Sequence, residues 1–391
     1  MPKKQQKKNF FNLPKPKHEV DFYLLFSVLA ILAFGMLMVL TAGSVRSYSA
    51  TQNSFHYAIQ QGKWVILGGI AAFVMTRIPY HLWKKFAGIG ILVTYILLFL
   101  VLKSGMAVEA QGASRWLNLG PIGLQPSEVA KLALVLFLAH YCSKYLIKSI
   151  KDAILPLIVV LPILALVYKQ PDLGTTMVLL MTTAAILWQT GLATGWFLLA
   201  IPVCGVPLAY LIYTTPYQWN RILAWLDPWA YPDLGYQIAN AEIAFGSGGI
   251  FGVGLGRSMQ KFGYLPETYT DMIFALVGEE LGLIGTLFLI GLFVFCYGRG
   301  FYIARQCTDL FGRFLAFGLT FSLSIQTAIN LSVVTGVLPV TGITLPLISY
   351  GGSSLIITLV EIGILLNISR YCKVSSPKLP FISNRQVEGE T

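Results

Sequence analysis

The sequence predicts an all-α, polytopic membrane protein with ten transmembrane helices, both termini in the cytoplasm, and a long extracytoplasmic loop between helices 7 and 8. Three observations predict it. Of 391 residues, 55% are apolar and only 12% charged, against about 25% charged in soluble domains. Ten segments approach the roughly 20 mostly apolar residues that span a bilayer core. Lys and Arg alternate in abundance between successive connections, as cytoplasmic loops require.

The first span, 22–41, follows six lysines placed within the first 17 residues, a polybasic flank suited to anionic headgroups. It is about twice as long as a signal-peptide core and shows no small-x-small cleavage site, so it is expected to remain as an anchor. Spans at 63–79 and 85–103 are joined by Arg77, Lys84 and Lys85. Those at 127–145, 152–168 and 173–190 are short and polar in places, and Pro126 suits the first turn of a helix. The span at 194–213 leads into the loop 214–270, and spans at 271–297, 313–335 and 345–368 complete the set. With both ends inside, the cytoplasmic segments hold 19 Lys and Arg and the outer segments 8, with Lys131 inside a helix. A bundle of this kind folds as one unit, so a single membrane domain is expected over 20–372, between a basic tail (1–19) and a second cytoplasmic tail (373–391).

Composition also excludes classes of function. The net charge of +11 is no sign of nucleic-acid binding, because much of it precedes a membrane span. Five cysteines, Cys142, Cys204, Cys296, Cys307 and Cys372, all fall in spans or at inner ends, so neither a disulfide framework nor a metal site is expected.

The outer loops are uneven. Residues 104–126 form a medium loop and 214–270 a long one, and loops beyond about 15 residues usually serve a function. Trp219, Trp225, Trp229, Tyr231 and Tyr236 predict short helices lying on the outer membrane surface. Within it, "FGSGGIFGVGLGRS" (245–258) matches a phosphate-binding glycine pattern, but no strand precedes it. It reads either as backbone N–H groups cradling an anion beside Arg257 and Lys261, or as tight turns between interfacial helices.

Charges in spans need a cavity or a partner. Asp271 opens the eighth span at its outer end, above Ala275, Gly278 and Gly282 on one helix face, which leaves room for a ligand or for close packing. A helix cap is the alternative for Asp271. Glu279 and Glu280 are about 100° apart on a helix, and at least one is expected to be structural. Glu128 and Lys131 stand three apart and either neutralise each other or, with Arg115, flank a pyrophosphate site. Ser322, Gln326 and Asn330 repeat every four residues in the ninth span and Glu361 lies in the tenth, a pattern expected to form interhelical hydrogen bonds.

Four segments carry a resemblance: "GASRWLNLGPIGLQPSEVAKLAL" (112–134), "QPDLGTTMV" (170–178), "GYQIANAEIAFGSGGIFGVGLGRSMQKFGYLPETYTDMIFALVGEELGLIG" (235–285) and "GVLPVTGITLPLISYGGSSLI" (336–356). They resemble the SEDS family (shape, elongation, division and sporulation), most closely its cell-division branch, over the whole membrane region. The resemblance implies a peptidoglycan glycosyltransferase that polymerises lipid II at the outer face of the bacterial cytoplasmic membrane, at the division septum. It implies a class B penicillin-binding protein and other cell-division proteins as partners, and Asp271, in the "LPE..TD" motif, as the catalytic carboxylate. The family usually has His two residues before that aspartate; here it is Tyr269.

The chemistry agrees. A sugar hydroxyl must attack an anomeric carbon while pyrophosphate leaves, which asks for one general base and for cations at the leaving group. Asp271 is the expected base, with Arg115 and Lys131 at the pyrophosphate and Glu128, Arg257 and Lys261 as further substrate-binding candidates. No cofactor is specified, and the need for a divalent cation is left open. Rival readings are a lipid II flippase, for which no inverted repeat is visible, and a noncatalytic scaffold of the division complex.

Overall fold

The computed structural model describes residues 16, 18–103, 107–110, 113–118, 123–145 and 147–372. Most of the tail read over 1–19, and all of that over 373–391, lies outside the described residues.

Among the described residues, twelve α-helices follow in order: α1 (Phe22–Thr51), α2 (His56–Arg77), α3 (Trp83–Lys103), α4 (Pro126–Lys144), α5 (Ile150–Tyr168), α6 (Leu173–Gln189), α7 (Thr194–Thr214), α8 (Pro216–Leu226), α9 (Pro232–Gly248), α10 (Ile273–Gln306), α11 (Leu310–Val334) and α12 (Gly352–Ser369). Eight are long and apolar enough to cross a membrane: α1, α2, α3, α5, α7, α10, α11 and α12. The predicted polytopic fold is therefore present, with the spanning criterion met by eight of the ten segments. The other two are α6, only 17 residues long, and α4, which buries Glu128 and Lys131. α8 and α9 lie in the long loop, where short helices are expected.

Within 104–126 the described residues form strands. These make an antiparallel sheet of β1 (Ala107–Ala110), β2 (Ala113–Asn118) and β3 (Gly123–Leu124), in the order β1-β2-β3. Val108 pairs with Trp116, and Leu117 with Leu124. Strands of four, six and two residues are too short for a period of two to stand out in the sequence.

α2 packs along α12, α3 along α4, and α11 against α10, α4 and α6. Close approach at the α2–α12 contact depends on Gly363, where a Cβ would lie 2.6 Å from the Ala72 carbonyl oxygen; small residues at such contacts are what packing in lipid favours. Large apolar side chains remain exposed on α3 (Leu92, Ile96), α5 (Leu155, Ile158) and α7 (Leu198, Ile201, Val206), as expected of helices whose outer faces meet hydrocarbon rather than water.

α10 is broken at Gly282, which has φ 66°. The glycine-rich stretch fills the break. Val253 N–H donates to the Glu279 carbonyl (3.0 Å) and Gly254 N–H to that of Glu280 (3.0 Å), while Leu283 and Ile284 N–H donate to the carbonyls of Gly249 (2.9 Å) and Ile250 (3.2 Å). Backbone groups freed by a break at membrane depth need such partners. The stretch thus gives two N–H groups and two carbonyls to α10. The small-residue face of α10 is likewise filled: a Cβ on Gly278 would run into the Phe245 ring, and one on Gly248 into the Gly278 carbonyl. It serves packing, with no room for a ligand.

At the opposite end of the bundle, Arg299 pairs with Asp21, and Lys84 with Asp309 at 3.6 Å. Cys307 and Cys372, separated by 65 residues with Cα atoms 4.9 Å apart, form a disulfide, contrary to the expectation of no disulfide framework. The pairing arises because the turn after α10 and the end of α12 are brought together in the bundle, a proximity that spacing along the chain does not reveal.

Candidate active site

Asp271 lies in a turn just ahead of α10. The cap position of that helix is Met272, with no side-chain cap bond, so the capping alternative does not account for Asp271. The turn is fixed through its main chain: the carbonyls of Tyr269, Thr270 and Asp271 accept from Tyr350 N–H (2.8 Å), Ser349 Oγ (2.5 Å) and Asn330 Nδ2 (2.8 Å). This leaves the carboxylate to face a cavity of about 360 Å³.

The cavity is where several distant parts of the chain meet, α6, α9 and α12 contributing Thr175, Gln237 and Ser354. α1 contributes Arg46, β2 contributes Arg115 and Trp116, and the start of α4 contributes Glu128. α8 brings Arg221, the turn before α10 brings Glu267, Thr270 and Asp271, and the segment before α12 brings Gly342, Thr344 and Tyr350. Three guanidinium groups and three carboxylates thus share one space. Under the predicted topology, every contributing helix end is an outer one.

Each charge has a holder. Arg115 donates from Nε to the Gln170 carbonyl (3.1 Å) and from Nη2 to the Pro171 carbonyl, which assigns a task to the "QPDLG" segment: presenting two oxygens to this side chain. Asp172 next to it accepts from Thr175 N–H (3.1 Å) and caps α6. Arg221 donates to the Val340 carbonyl (2.7 Å). Arg46 lies 3.6 Å from Glu267, whose other oxygen accepts from Thr270 Oγ1 (2.7 Å). Burial, and next the charge of Glu267, push the Asp271 carboxyl up to about 7, against the opposing pull of Arg221 and the Thr270 hydroxyl. A carboxylate poised near neutrality suits proton abstraction.

The sequence-predicted site residues divide into three groups. Asp271, Arg115 and Glu128 come together at the cavity. Lys131 stands one layer behind, 2.9 Å from Glu128 and bonded to Gln326. Arg257 and Lys261 are elsewhere: neither lines the cavity, and Lys261 reaches Glu280 at 4.0 Å. Glu279 accepts from Ser258 Oγ and from Met259 N–H (2.8 Å). Both glutamates are therefore structural, each holding part of the segment that curls round α10. Tyr269 stacks on Tyr57 with ring centroids 4.7 Å apart, and the Arg46 guanidinium lies over its ring.

Sequence reasoning missed Arg46, Arg221 and Glu267 as cavity residues. Glu267 had a signal, since it belongs to the same motif as Asp271. Arg46 and Arg221 had none beyond their count among outer charges.

The family model FTSW_RODA_SPOVE, described as "Cell cycle protein", matches residues 22–374. The "Probable peptidoglycan glycosyltransferase FtsW" of Geobacter metallireducens is 41% identical over 358 residues, covering 90% of this chain and 95% of that protein. A solved chain described as "Structural coordination of polymerization and crosslinking by a peptidoglycan synthase complex" is 33% identical with a TM-score of 0.74, covering 90% of this chain and 98% of its own. The crystal structure of the rod shape determining protein RodA of Thermus thermophilus is 29% identical with a TM-score of 0.68, covering 91% and 98%. The resemblance seen in the motifs thus extends over sequence and fold, and the chain belongs to the FtsW/RodA/SpoVE family of cell cycle proteins.

Proposed function

We propose that this chain is a peptidoglycan glycosyltransferase that polymerises lipid II at the outer face of the bacterial cytoplasmic membrane for septal wall synthesis, alongside a class B penicillin-binding protein. Family membership supports the activity, and one observation carries the mechanism: Asp271 faces a cavity whose walls bear Arg46, Arg115 and Arg221.

Asp271 takes the proton of the attacking sugar hydroxyl as the new glycosidic bond forms at the anomeric carbon. The bond from that carbon to the pyrophosphate oxygen breaks, and the leaving pyrophosphate keeps the electron pair. Guanidinium groups match its oxygens in geometry and charge, so Arg115, fixed by two carbonyls, stabilises the charge that develops there. Lys131 acts from behind Glu128 and offsets its charge. Good leaving-group stabilisation removes the need for a second carboxylic acid as proton donor.

The test is purified protein with its cognate class B penicillin-binding protein and lipid II, read as glycan chains on a gel. Chains from wild type and none from Asp271→Asn are expected. Chains from Asp271→Asn at the wild-type rate would remove Asp271 as the base.

A further inference from the structure

We infer that Asn330 and Gln326, one turn apart on α11, are positioning residues for this reaction: together they fix the Asp271 turn relative to the Glu128–Lys131 pair on the opposite wall. The inference rests on the glycosyltransferase reading above and adds the part of the fold that sets its geometry.

Asn330 is buried, and its Nδ2 donates both to the Asp271 carbonyl (2.8 Å) and to the Ile343 carbonyl (2.8 Å). Carbonyls only accept, so these two partners fix which way the amide points. One side chain therefore joins the residue before the α10 cap to the segment before α12, which itself lines the cavity at Gly342, Ile343 and Thr344. Gln326 repeats the arrangement one turn away. Its Oε1 accepts from Lys131 Nζ, and its Nε2 donates to the Thr344 carbonyl (3.0 Å). Lys131 in turn holds Glu128 at 2.9 Å.

A spacing of four places both amides on one helix face, so α11 acts as a ruler between the two walls. Neither amide touches the cavity, which separates them from groups that bind substrate. A hydrocarbon side chain at position 330 would remove the donor to the Asp271 and Ile343 carbonyls, and the Asp271 turn would lose the tie from behind; one at position 326 would remove the bonds to Lys131 and to the Thr344 carbonyl. Reacting atoms need placement within a fraction of an ångström, and a shift of about 1 Å can cost about 100-fold in rate.

The experiment measures lipid II polymerisation by Asn330→Ala and Gln326→Glu, each with the class B penicillin-binding protein, normalised to folded protein from size-exclusion and thermal melting. Gln326→Glu keeps the acceptor for Lys131 and removes the donor to Thr344, so it tests the ruler without a cavity in the core. Both variants are expected to lower kcat about 10- to 100-fold with KM for lipid II within about twofold, while Ser322→Ala, one turn further along the same face, keeps wild-type values. Wild-type kcat in both variants, a loss confined to KM, or a loss fully explained by the unfolded fraction would overturn the inference. Should Asn330→Ala fail to fold, Gln326→Glu decides alone. Absence of chains from wild type would sink the glycosyltransferase reading and this inference with it; chains from wild type alongside unchanged variants would sink the inference only.

Discussion

The Asp271 carboxylate and the Arg115 guanidinium both border Gly342: a Cβ placed on that glycine would lie 3.9 Å from Asp271 Oδ2 and 3.7 Å from Arg115 Nη1. Gly342 also has φ 72°, where an L side chain costs roughly 1–2 kcal/mol. Gly342→Ala is therefore expected to place a methyl group between base and cation. Polymerisation should fall at least about tenfold while the protein still inserts and binds its partner, as checked by co-purification and chain length on gels.

Asp271→Asn keeps size and shape and removes the base. General-base catalysis contributes about 10²- to 10⁴-fold, so single-turnover polymerisation should fall by that range, with lipid II binding retained. A variant with the wild-type rate would place the base elsewhere.

The raised Asp271 carboxyl predicts a pH profile. The base works only when deprotonated, so kcat/KM should rise with pH and level off above about 7. Glu267 is the second cause of the elevation. Its negative charge holds the proton on Asp271, so Glu267→Gln should move the acid limb to lower pH. An acid limb unmoved in Glu267→Gln would contradict the assignment. For stability the sign is the reverse of that for activity. A carboxyl raised in the folded state favours folding fully below its unfolded value, and this contribution is lost as pH rises through about 7.

Arg115→Ala should lower kcat/KM for lipid II about 10- to 100-fold, the equivalent of the roughly 1.5–3 kcal/mol of a charge-assisted hydrogen bond. Arg115→Lys should restore little, because a point charge cannot span the carbonyls of Gln170 and Pro171 and a pyrophosphate together.

Lys261 and Arg257 offer a contrast. Lys261→Ala leaves the buried Glu280 without its nearby cation and should lower the melting temperature, with KM unchanged in the protein that folds. Arg257→Ala, an exposed position outside the cavity, should change neither. A raised KM in either variant would return the glycine-rich segment to the substrate site.

Most of the helical architecture was legible in the sequence, because a bilayer demands long apolar segments and little else produces them. Helix ends were less so. α1 runs on to Thr51 and α2 begins at His56, since polar residues continue a helix beyond the lipid without an apolar signature. The segment 345–351, read as part of the last span, lies outside α12, where it lines the cavity and ties down the Asp271 turn.

By itself the sequence determined the class of protein and the motifs that place it in its family, and it singled out Asp271, Arg115 and Glu128, which the fold brings to one cavity. Composition and local spacing carry that information. Only the tertiary structure decided that the glycine-rich stretch bonds to α10 across the break at Gly282, that Lys131 stands behind Glu128, and that Arg46, Arg221 and Glu267 share the cavity. Those facts depend on which distant segments meet, as where Gln326 bonds Lys131 and Asn330 bonds the Asp271 carbonyl across the bundle. Side-chain hydrogen bonds between remote helices leave no periodicity to read, so the geometry of the site emerges only once the bundle has closed.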